Sequence, residues 1–335
     1  MAKEKAVVVG AGGISGAWFP PLKAEKINIV GIVDLDVERA KKRLADYQLE
    51  CPVGTDLADM LKKTRPDFVV DLTIPEAHCA VTCTALKAGC HVIGEKPMAS
   101  SMAEARKMVA TAKATKKMYM VSQSRRWQGN ETRVRKTLSK NRIGTLTTFN
   151  CDFYIGAHFG GFRDAMDSPL ILDMAIHQFD LARYMTGADP VAVYAKEFNP
   201  KGSWYKGDVS AMAIFEMTGG VMFCYRGSWC SEGCHTSWNG DWRFIGDKGT
   251  LLYHHDQVPT GQVIQNKEGF FRTLKDITAD EAPMKFGGMH GALREMLAFI
   301  RTGKKPQTAC DDNIKSLAMV HGVIESSKTG KRVKL

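Results

Sequence analysis

The first third of the chain alternates short apolar runs with amphipathic segments. Five apolar runs predict buried strands at 7–9, 27–33, 68–72, 91–93 and 118–122. Four amphipathic segments predict helices at 37–47, 57–63, 77–88 and 101–114, with Asp36 and Ser101 as the N-caps of the first and last. Strands that alternate with helices indicate repeated βαβ units, so we expect a doubly wound parallel sheet here.

From about residue 147 the pattern changes to longer runs with a two-residue alternation. These runs, at 147–154, 211–215 and 221–227, predict an open, largely antiparallel sheet, with a turn at Gly219 and Gly220 before the last. One helix at 171–184 interrupts the sheet, and helices near 292–301 and 311–327 close the chain. The change of periodicity places a domain boundary at 123/124, so that 1–123 is an α/β domain and 124–335 is an α+β domain.

Length and composition agree with two globular domains. The chain has 335 residues, about twice the ~150 residues of one domain, and 44% of them are hydrophobic and 24% charged. These values exclude disordered, collagen-like and coiled-coil proteins. Every apolar stretch is interrupted well before the ~18 to 20 residues of a membrane span. Nine cysteines, an odd number without a CxxC pair, argue against a disulfide framework and predict a cytoplasmic protein.

The formal charge of +10 raises the question of an anionic partner. The lysines and arginines are spread along predicted helices, as at 39–42 and 113–117, and are not gathered beside aromatic residues. Such spacing is typical of solvated helix faces. We therefore expect neither a nucleic acid nor a membrane as a partner.

A glycine-rich turn follows the first predicted strand directly. In a dinucleotide-binding turn, one glycine permits a sharp bend, a second lets the backbone approach the pyrophosphate, and a small third residue lets helix pack on strand. Gly10, Gly12 and Ser15 occupy these positions. Asp34, at the end of the second strand, lies where a carboxylate binds the adenosine ribose and disfavours a 2′-phosphate, although Arg39 could neutralise one. The motif predicts NAD in preference to NADP.

Several further segments carry a family pattern. Residues 74–78 read IPEAH, 88–97 read AGCHVIGEKP, 245–251 read IGDKGTL and 325–330 read ESSKTG. In this combination the chain resembles the glucose-fructose oxidoreductase, inositol dehydrogenase and MocA family over nearly its whole length. The resemblance implies an N-terminal Rossmann domain, a C-terminal substrate-binding and oligomerisation domain, and an NAD(P)-dependent dehydrogenase acting on CH–OH groups.

The same resemblance implies a catalytic set. The family uses the Lys of Glu-Lys-Pro and a later Asp-x-x-x-His, which are Lys96, Asp173 and His177 in this chain. The chain departs from the family pattern at Cys90, at 168–169, where glycines are common, and at Trp127. The change at 168–169 could reshape a loop over the substrate, which puts the identity of the substrate in doubt.

Oxidation of a secondary alcohol needs a base for the hydroxyl proton and stabilisation of the developing alkoxide. Asp173 and His177 are four residues apart, so a helix would present them on one face. We favour His177 as the base and Lys96 as its electrostatic partner, but the sequence leaves open which of the two is the base. Without the other motifs, Asp173 and His177 would be an ordinary surface pair.

The remaining candidates are weaker. Trp238, in a predicted loop, could stack on the apolar face of a sugar, whereas Trp229 and Trp242 fall in strand-like runs. His290 follows two glycines, and we expect it in a surface loop. The segment 230–235 holds two cysteines and a histidine, but its spacing fits no zinc pattern, so we expect no metal.

The expected cofactor-binding residues are Gly10, Gly12, Gly13, Ile14, Ser15, Asp34, Thr73, Ile74, Pro75, His78, Glu95, Lys96 and Arg163. The expected substrate-binding residues are Lys96, Arg126, Asp173, His177 and Trp238. We thus expect hydride transfer between a ring hydroxyl carbon of a sugar, glycoside or cyclic polyol and the nicotinamide. The alternatives are a glycosidase or epimerase with internally recycled NAD, and a non-catalytic dinucleotide sensor. Exposed sheet faces rich in aromatics predict a homodimer or homotetramer.

Overall fold

The computed structural model describes residues 3–266 and 268–335, and the chain divides into two compact units. Unit 1 contains the chain up to Ser124 together with Phe286–Leu317, and unit 2 contains Arg125–Lys285 and Ala318–Leu335. The domain boundary at 123/124 stays a prediction. The structure also places residues 286–317 in unit 1, whereas the hydrophobic pattern had placed them in the second domain.

Unit 1 is built on a parallel sheet of six strands. Its strands are β1 (Lys5–Val9), β2 (Asn28–Val33), β3 (Val53–Gly54), β4 (Phe68–Asp71), β5 (His91–Gly94) and β6 (Tyr119–Val121). Its helices in chain order are α1 (Ser15–Ala24), α2 (Val37–Tyr47), α3 (Leu57–Thr64), α4 (Pro75–Lys87) and α5 (Met102–Thr115). The spatial order β3-β2-β1-β4-β5-β6 is that of the doubly wound dinucleotide-binding fold, which confirms the predicted class.

The strands of unit 1 are apolar because helices cover both faces of a doubly wound sheet. Val7, Val69 and Val92, on neighbouring strands, are all fully buried in one core cluster. The predicted helix starts are also observed, since the side chains of Asp36 and Ser101 accept hydrogen bonds from the backbone N–H groups of Arg39 and Glu104. Local capping chemistry therefore fixed these two helix starts.

A late helix completes unit 1. Helix α8 (Gly288–Thr302) follows Gly287, and His290 lies in its first turn, so the predicted surface loop at His290 is wrong. The imidazole Nε2 of His290 lies 2.7 Å from Glu25 Oε1, and Arg294 donates to the same oxygen at 2.8 Å. These two contacts with Glu25, at the end of α1, tie a segment so late in the sequence to unit 1.

Unit 2 contains a nine-stranded sheet with helices. After α6 (Gly129–Ser139) its elements are β7 (Leu146–Tyr154), α7 (Ile176–Thr186), β8 (Pro190–Phe198), β9 (Ser210–Met217), β10 (Met222–Ser228), β11 (Asp241–Gly246), β12 (Gly249–Tyr253), β13 (Thr260–Ile264), β14 (Leu274–Thr278) and β15 (Val333–Lys334). The long helix α9 (Cys310–Thr329) begins in unit 1 and continues into unit 2.

The sheet of unit 2 has the order β14-β13-β12-β11-β7-β10-β9-β8-β15. Each neighbouring pair is antiparallel except β7 and β10, which run parallel, so the predicted open and largely antiparallel sheet is confirmed. Phe149, Phe223 and Phe244 stack across three neighbouring strands of one face, against Phe179 from α7. This aromatic layer forms the core of unit 2.

The helix predicted at 171–184 begins differently. Its first turn, Leu170–Ala175, is a π-helix, and only from Ile176 does α7 continue with α-helical geometry. A π turn is wider than an α turn, so spacing alone does not place residues four apart on one face across this junction. Asp173 lies in the π turn and His177 lies in the first turn of α7.

No helix within residues 3–266 and 268–335 combines the length and the apolar character that a membrane span requires.

Candidate functional site

The glycine-rich turn connects β1 to α1. Gly10 has φ +93°, and a Cβ atom there would lie 2.7 Å from the carbonyl oxygen of Leu72, so only glycine fits without strain. A Cβ atom on Gly12 or Gly13 would meet no other protein atom within 4 Å. The backbone of these two glycines therefore faces open space at the start of a helix, which suits a pyrophosphate.

The small residue Ser15 and an arginine hold this turn. Ser15 is fully buried and its hydroxyl donates to the carbonyl of Gly12 at 2.7 Å. Arg43, on α2, donates to the carbonyls of Ala11 and Gly12 at 3.2 and 3.1 Å. Sequence reasoning missed Arg43, because nothing in the spacing of the motif shows that α2 reaches back to the turn.

Asp34 follows β2 and lies beside the turn. Its two carboxylate oxygens accept hydrogen bonds from the backbone N–H groups of Ala11, at 2.6 Å, and Asp36, at 2.8 Å. Arg39 lies 3.7 Å from the same carboxylate and also pairs with Asp36. Arg39 therefore already faces two carboxylates, which leaves it less able to attract a phosphate.

Three apolar side chains at this edge are exposed to solvent. Leu35, next to Asp34, is 92% exposed, Ile74 at the start of α4 is 65% exposed, and Ile14 before α1 is 39% exposed. All three follow the carboxyl ends of strands, which is the edge where doubly wound sheets bind ligands. Leu35 is absent from the predicted set, since an isolated leucine carries no sequence signal. Pro75 follows Ile74 as the first residue of α4.

The segment from Glu95 to Pro97 leaves β5 at the same edge. Glu95 is buried and accepts hydrogen bonds from the indole N–H of Trp18, at 2.8 Å, and from the backbone N–H of Lys96, at 3.2 Å. Burial raises the pKa of Glu95 above its usual value, although these hydrogen bonds oppose the shift. The peptide bond between Lys96 and Pro97 is cis, and the Lys96 side chain is half-buried.

His78 lies deeper in unit 1 than the sequence suggested. Its side chain is 1% exposed, and Nδ1 lies 3.1 Å from Asp71 Oδ1 and 3.2 Å from the hydroxyl of Thr73. The Thr73 hydroxyl itself donates to Asp71 at 2.6 Å. A side chain enclosed in this way contacts Asp71 and Thr73, and it does not present a surface to a cofactor.

In unit 2, an arginine binds the predicted catalytic carboxylate. Arg163 Nε donates to Asp173 Oδ2 at 2.6 Å, and its guanidinium lies over the rings of Phe159 and Phe162. This contact holds the Asp173 carboxylate, and the cofactor-binding role expected of Arg163 stays a prediction. His177 is half-buried in the first turn of α7.

Trp238 lies near this group, and its backbone is held firmly. Its carbonyl accepts hydrogen bonds from Arg125 and from Gln178, the latter at 3.1 Å. Its ring, 47% exposed, lies 6.2 Å from that of Phe159. Trp238 thus presents an exposed ring on a fixed backbone, as a sugar-stacking platform requires. Trp229 and Trp242, by contrast, are buried in the core.

Arg126 does not have the place that we expected for a substrate-binding residue. Its side chain is 4% exposed, and Nε and one terminal nitrogen each donate to Asp180 at 2.7 Å. The guanidinium also lies near the ring of Tyr184. A bidentate pair this deeply buried holds α7 to the segment before α6, and we correct the prediction to a structural role.

Within residues 3–266 and 268–335, no group of three or more histidine, cysteine, aspartate or glutamate side chains is arranged to hold a metal ion. Around the suspected segment 230–235, His235 Nε2 accepts a hydrogen bond from the backbone N–H of Gly156 at 3.2 Å, and Glu232 pairs with His158 at 2.8 Å. The side chains of His235 and Glu232 therefore already have hydrogen-bond partners in the protein.

Both parts of the chain are similar to one family of known proteins. Residues 5–123 match the oxidoreductase family with an NAD-binding Rossmann fold, and residues 132–252 match the C-terminal domain of the same family. The chain belongs to the GFO/IDH/MocA family. It is an NAD(P)-dependent oxidoreductase, and its N-terminal part is an NAD-binding Rossmann domain.

Characterised relatives extend over the whole chain. A D-apiose dehydrogenase from Paraburkholderia graminis is 27% identical, with 99% of this chain and 89% of that protein aligned. A 1,5-anhydro-D-fructose reductase from Ensifer adhaerens is 23% identical, over 98% and 97% of the two chains. The crystal structure of an oxidoreductase from Agrobacterium radiobacter, in complex with NAD+, L-tartaric acid and magnesium, superposes with a TM-score of 0.86 at 21% identity, covering 99% and 98%.

Proposed function

We propose that this protein transfers a hydride between a ring hydroxyl carbon of a sugar, glycoside or cyclic polyol and NAD. The observation that carries the proposal is the pairing of Arg163 with Asp173 beside the exposed rings of Phe159 and Trp238. A fixed carboxylate can accept hydrogen bonds from sugar hydroxyls, and exposed aromatic rings can stack on the apolar face of a sugar. The named activities of the two characterised relatives, on apiose and on anhydrofructose, support this class of substrate.

Lys96, Asp173 and His177 are the proposed catalytic residues. The nicotinamide, when bound, supplies the hydride acceptor at the reacting carbon. His177 takes the proton of the substrate hydroxyl, since an imidazole accepts protons near neutral pH. The Lys96 ammonium stabilises the negative charge that develops on the substrate oxygen. Asp173, held by Arg163 Nε, binds a neighbouring hydroxyl and orients the ring.

The preference for NAD over NADP rests on Asp34. Its carboxylate is held at the end of β2 by two backbone donors, the N–H groups of Ala11 and Asp36. A carboxylate there accepts hydrogen bonds from ribose hydroxyls and repels a 2′-phosphate. The open space above Gly12 and Gly13 fits the pyrophosphate of either dinucleotide.

A substrate panel tests this function. The wild-type protein is incubated with NAD and, separately, with inositols, free aldoses, ketoses and glycosides, and NADH is followed by its absorbance. We expect NADH formation with members of one of these groups and a weaker rate with NADP. A protein that binds NAD and releases or rearranges a sugar, but forms no NADH with any member of the panel, would contradict a dehydrogenase. Its function would then be that of a glycosidase or epimerase with internally recycled NAD.

We also propose that the protein forms a homodimer or homotetramer through the open face of its large sheet. Tyr194, Met212 and Ile214, on β8 and β9, are each at least half exposed there, and Tyr194 is directly opposite Ile214 in the register. Contiguous exposed apolar side chains on a sheet need to be covered. Light scattering should give a multiple of the chain mass for the wild type and a monomer for Ile214→Lys; a wild-type monomer would contradict the proposal.

A further inference from the structure

The loop that carries Trp238 is fixed in unit 2 by a row of polar side chains. Asn239, the next residue, is 8% exposed, and its side-chain amide donates to Gln128 Oε1 and to Asp256 Oδ1, each at 2.9 Å. The carbonyl of Asn239 accepts from the buried indole N–H of Trp242, also at 2.9 Å. The position of Trp238 therefore depends on what holds Asn239, and one of its anchors is the carboxylate of Asp256.

The backbone at Asp256 has a conformation that side chains rarely adopt. His255 and Asp256, in the turn after β12, have φ values of +49° and +55°. Two left-handed residues in succession cost free energy unless the surrounding contacts hold them. The N–H of His255 donates to Asp241 Oδ1 at 2.9 Å, and Asn130 Nδ2 donates to the carbonyl of Asp256 at 2.7 Å. This turn brings the carboxylate of an exposed residue to Asn239.

Three oxygen atoms in this row need two hydrogens between them. The hydroxyl of Tyr253 lies 2.7 Å from Glu131 Oε1 and 3.0 Å from Asp256 Oδ1. A phenol has one hydrogen to donate, and an ionised carboxylate has none. If both carboxyl groups were ionised, one pair of oxygens would face each other without a hydrogen between them. One of the two carboxyl groups therefore keeps its proton.

Glu131 is the group that keeps the proton. Its side chain, on α6, is 1% exposed, whereas Asp256 is exposed and accepts a further hydrogen bond from Asn239. An ionised carboxylate loses far more hydration when it is buried than when it lies at the surface. Burial also raises the pKa of Glu131 to about 7. Glu131 thus donates to Tyr253, and Tyr253 donates to the ionised Asp256.

We propose that Glu131, Tyr253 and Asp256 are positioning residues, which hold the Trp238 ring for the substrate as long as Glu131 keeps its proton. When this proton passes to solvent water, the O–H of Tyr253 turns to the new Glu131 carboxylate. Asp256 then loses a donor and faces a second negative charge, which weakens its hold on Asn239. The inference rests on the proposed role of Trp238 as a platform for the sugar.

Other titratable groups face this row from neighbouring elements. Arg125, just before α6, interacts electrostatically with both Glu131 and Asp256, and burial lowers its pKa to about 10. Tyr184 on α7 also faces Glu131, and burial raises its pKa above the usual value, as it does for Tyr253. Arg125 therefore stays a cation and both tyrosines stay neutral near pH 7. Glu131 is the group of this set whose charge changes there.

The mobility of Trp238 gives a readout that needs no substrate. The protein is labelled with 15N-tryptophan, and the order parameters of the backbone and indole N–H groups of Trp238, assigned with Trp238→Phe, are measured at about pH 6. Asp256→Gly removes the carboxylate and keeps a residue that accepts a positive φ. We expect the order parameters to fall from about 0.85 to below about 0.6 in Asp256→Gly. They should stay near the wild-type values in Asp256→Asn, which keeps an acceptor oxygen.

A second variant and an internal reference complete this experiment. Asn239→Ala should loosen Trp238 in the same way, and it serves if Asp256→Gly does not fold. Trp18, which is fully buried in unit 1, should keep its order parameter in every variant. Wild-type order parameters for Trp238 in the folded variants would overturn the proposal, and so would an equal loss at Trp18.

The pH dependence distinguishes a protonated Glu131 from a merely structural row. In the wild type, Trp238 should become more mobile as pH rises from about 6 to about 8. In Glu131→Gln it should stay rigid, because the amide N–H still donates to Tyr253. His255→Asn is the matched control, since it removes an exposed histidine of the same turn and asparagine tolerates a positive φ. Loss of the pH dependence in His255→Asn, or its persistence in Glu131→Gln, would overturn the proposal.

Turnover connects the row to the substrate. Asp256→Gly should raise KM for the best substrate of the panel about fivefold, with kcat and NAD affinity within about twofold of wild type, and Trp238→Ala should raise KM at least as much. A raised KM in Trp238→Ala beside an unchanged KM in Asp256→Gly would contradict the proposal. An unchanged KM in Trp238→Ala beside the expected order parameters would refute only the sugar platform, and the hold of the row on Trp238 would stand.

Discussion

Substitution by alanine should affect two glycines of the turn after β1 differently. At Gly10 it should lower the stability of unit 1, and at Gly12 it should lower the affinity for NAD. Gly10→Ala places a Cβ atom 2.7 Å from the Leu72 carbonyl oxygen at a φ of +93°, and the opposing atoms are backbone. The positive φ costs about 1–2 kcal/mol, and the overlap adds about 1–2 kcal/mol more. We therefore expect unit 1 to lose about 2–4 kcal/mol of stability, or about 5–15 °C in Tm.

Gly12→Ala is the matched variant, because its Cβ atom meets no protein atom within 4 Å. Its stability should stay within about 1 kcal/mol of wild type. Its methyl group would occupy the space into which we place the pyrophosphate, so its affinity for NAD should fall at least about tenfold.

Both variants are measured by thermal unfolding followed by circular dichroism and by calorimetric titration with NAD. A Gly10→Ala protein as stable as wild type would refute the steric reasoning. A Gly12→Ala protein that binds NAD normally would show that the dinucleotide does not approach this part of the backbone.

Three further substitutions test separate parts of the structure. Asp34→Ser should narrow the ratio of kcat/KM for NAD over NADP, and an unchanged ratio would assign the selection to another group. Arg126→Gln should cost about 3–5 kcal/mol in urea unfolding, because it leaves Asp180 buried without its cation, and a neutral effect would contradict a structural role. Burial raises the pKa of Glu131 to about 7, so the folded state holds a proton that the unfolded state releases, and stability falls as pH rises from about 4.5 to about 7. Glu131→Gln should remove this pH dependence and raise the free energy of unfolding by on the order of 3 kcal/mol above pH 7. If the free energy of unfolding of Glu131→Gln depended on pH as that of the wild type does, the buried Glu131 would not be its cause.

The parallel sheet was predictable because five of its six strands carry a local signal; β3, only two residues long, carries none and was not predicted. Short apolar runs, Asp36 and Ser101 as caps, and the glycine turn all lie within a few residues of the structure that they specify. The open sheet was predictable as a class from its two-residue alternation. The parallel pairing of β7 with β10 was not, since both strands would show the same alternation in either direction.

Contacts made over long sequence distances escaped the sequence analysis. Arg43 reaches Gly12 across 31 positions, and α8 returns to α1 across more than 260, as Glu25 binds His290. The burial of Arg126 was not predictable, because an exposed arginine and a buried, ion-paired one look alike in a sequence. The π turn at Asp173 was also invisible, because periodicity does not distinguish a π turn from an α turn over so few residues.

The most direct test of the proposed chemistry compares Lys96→Ala with Lys87→Ala, a variant of an exposed lysine at the end of α4. NADH formation with the best substrate of the panel and the affinity for NAD are measured for both. We predict that Lys96→Ala loses at least about a thousandfold in kcat while binding NAD within a fewfold of wild type, and that Lys87→Ala is unchanged in both. Undiminished turnover by Lys96→Ala would contradict the proposed mechanism.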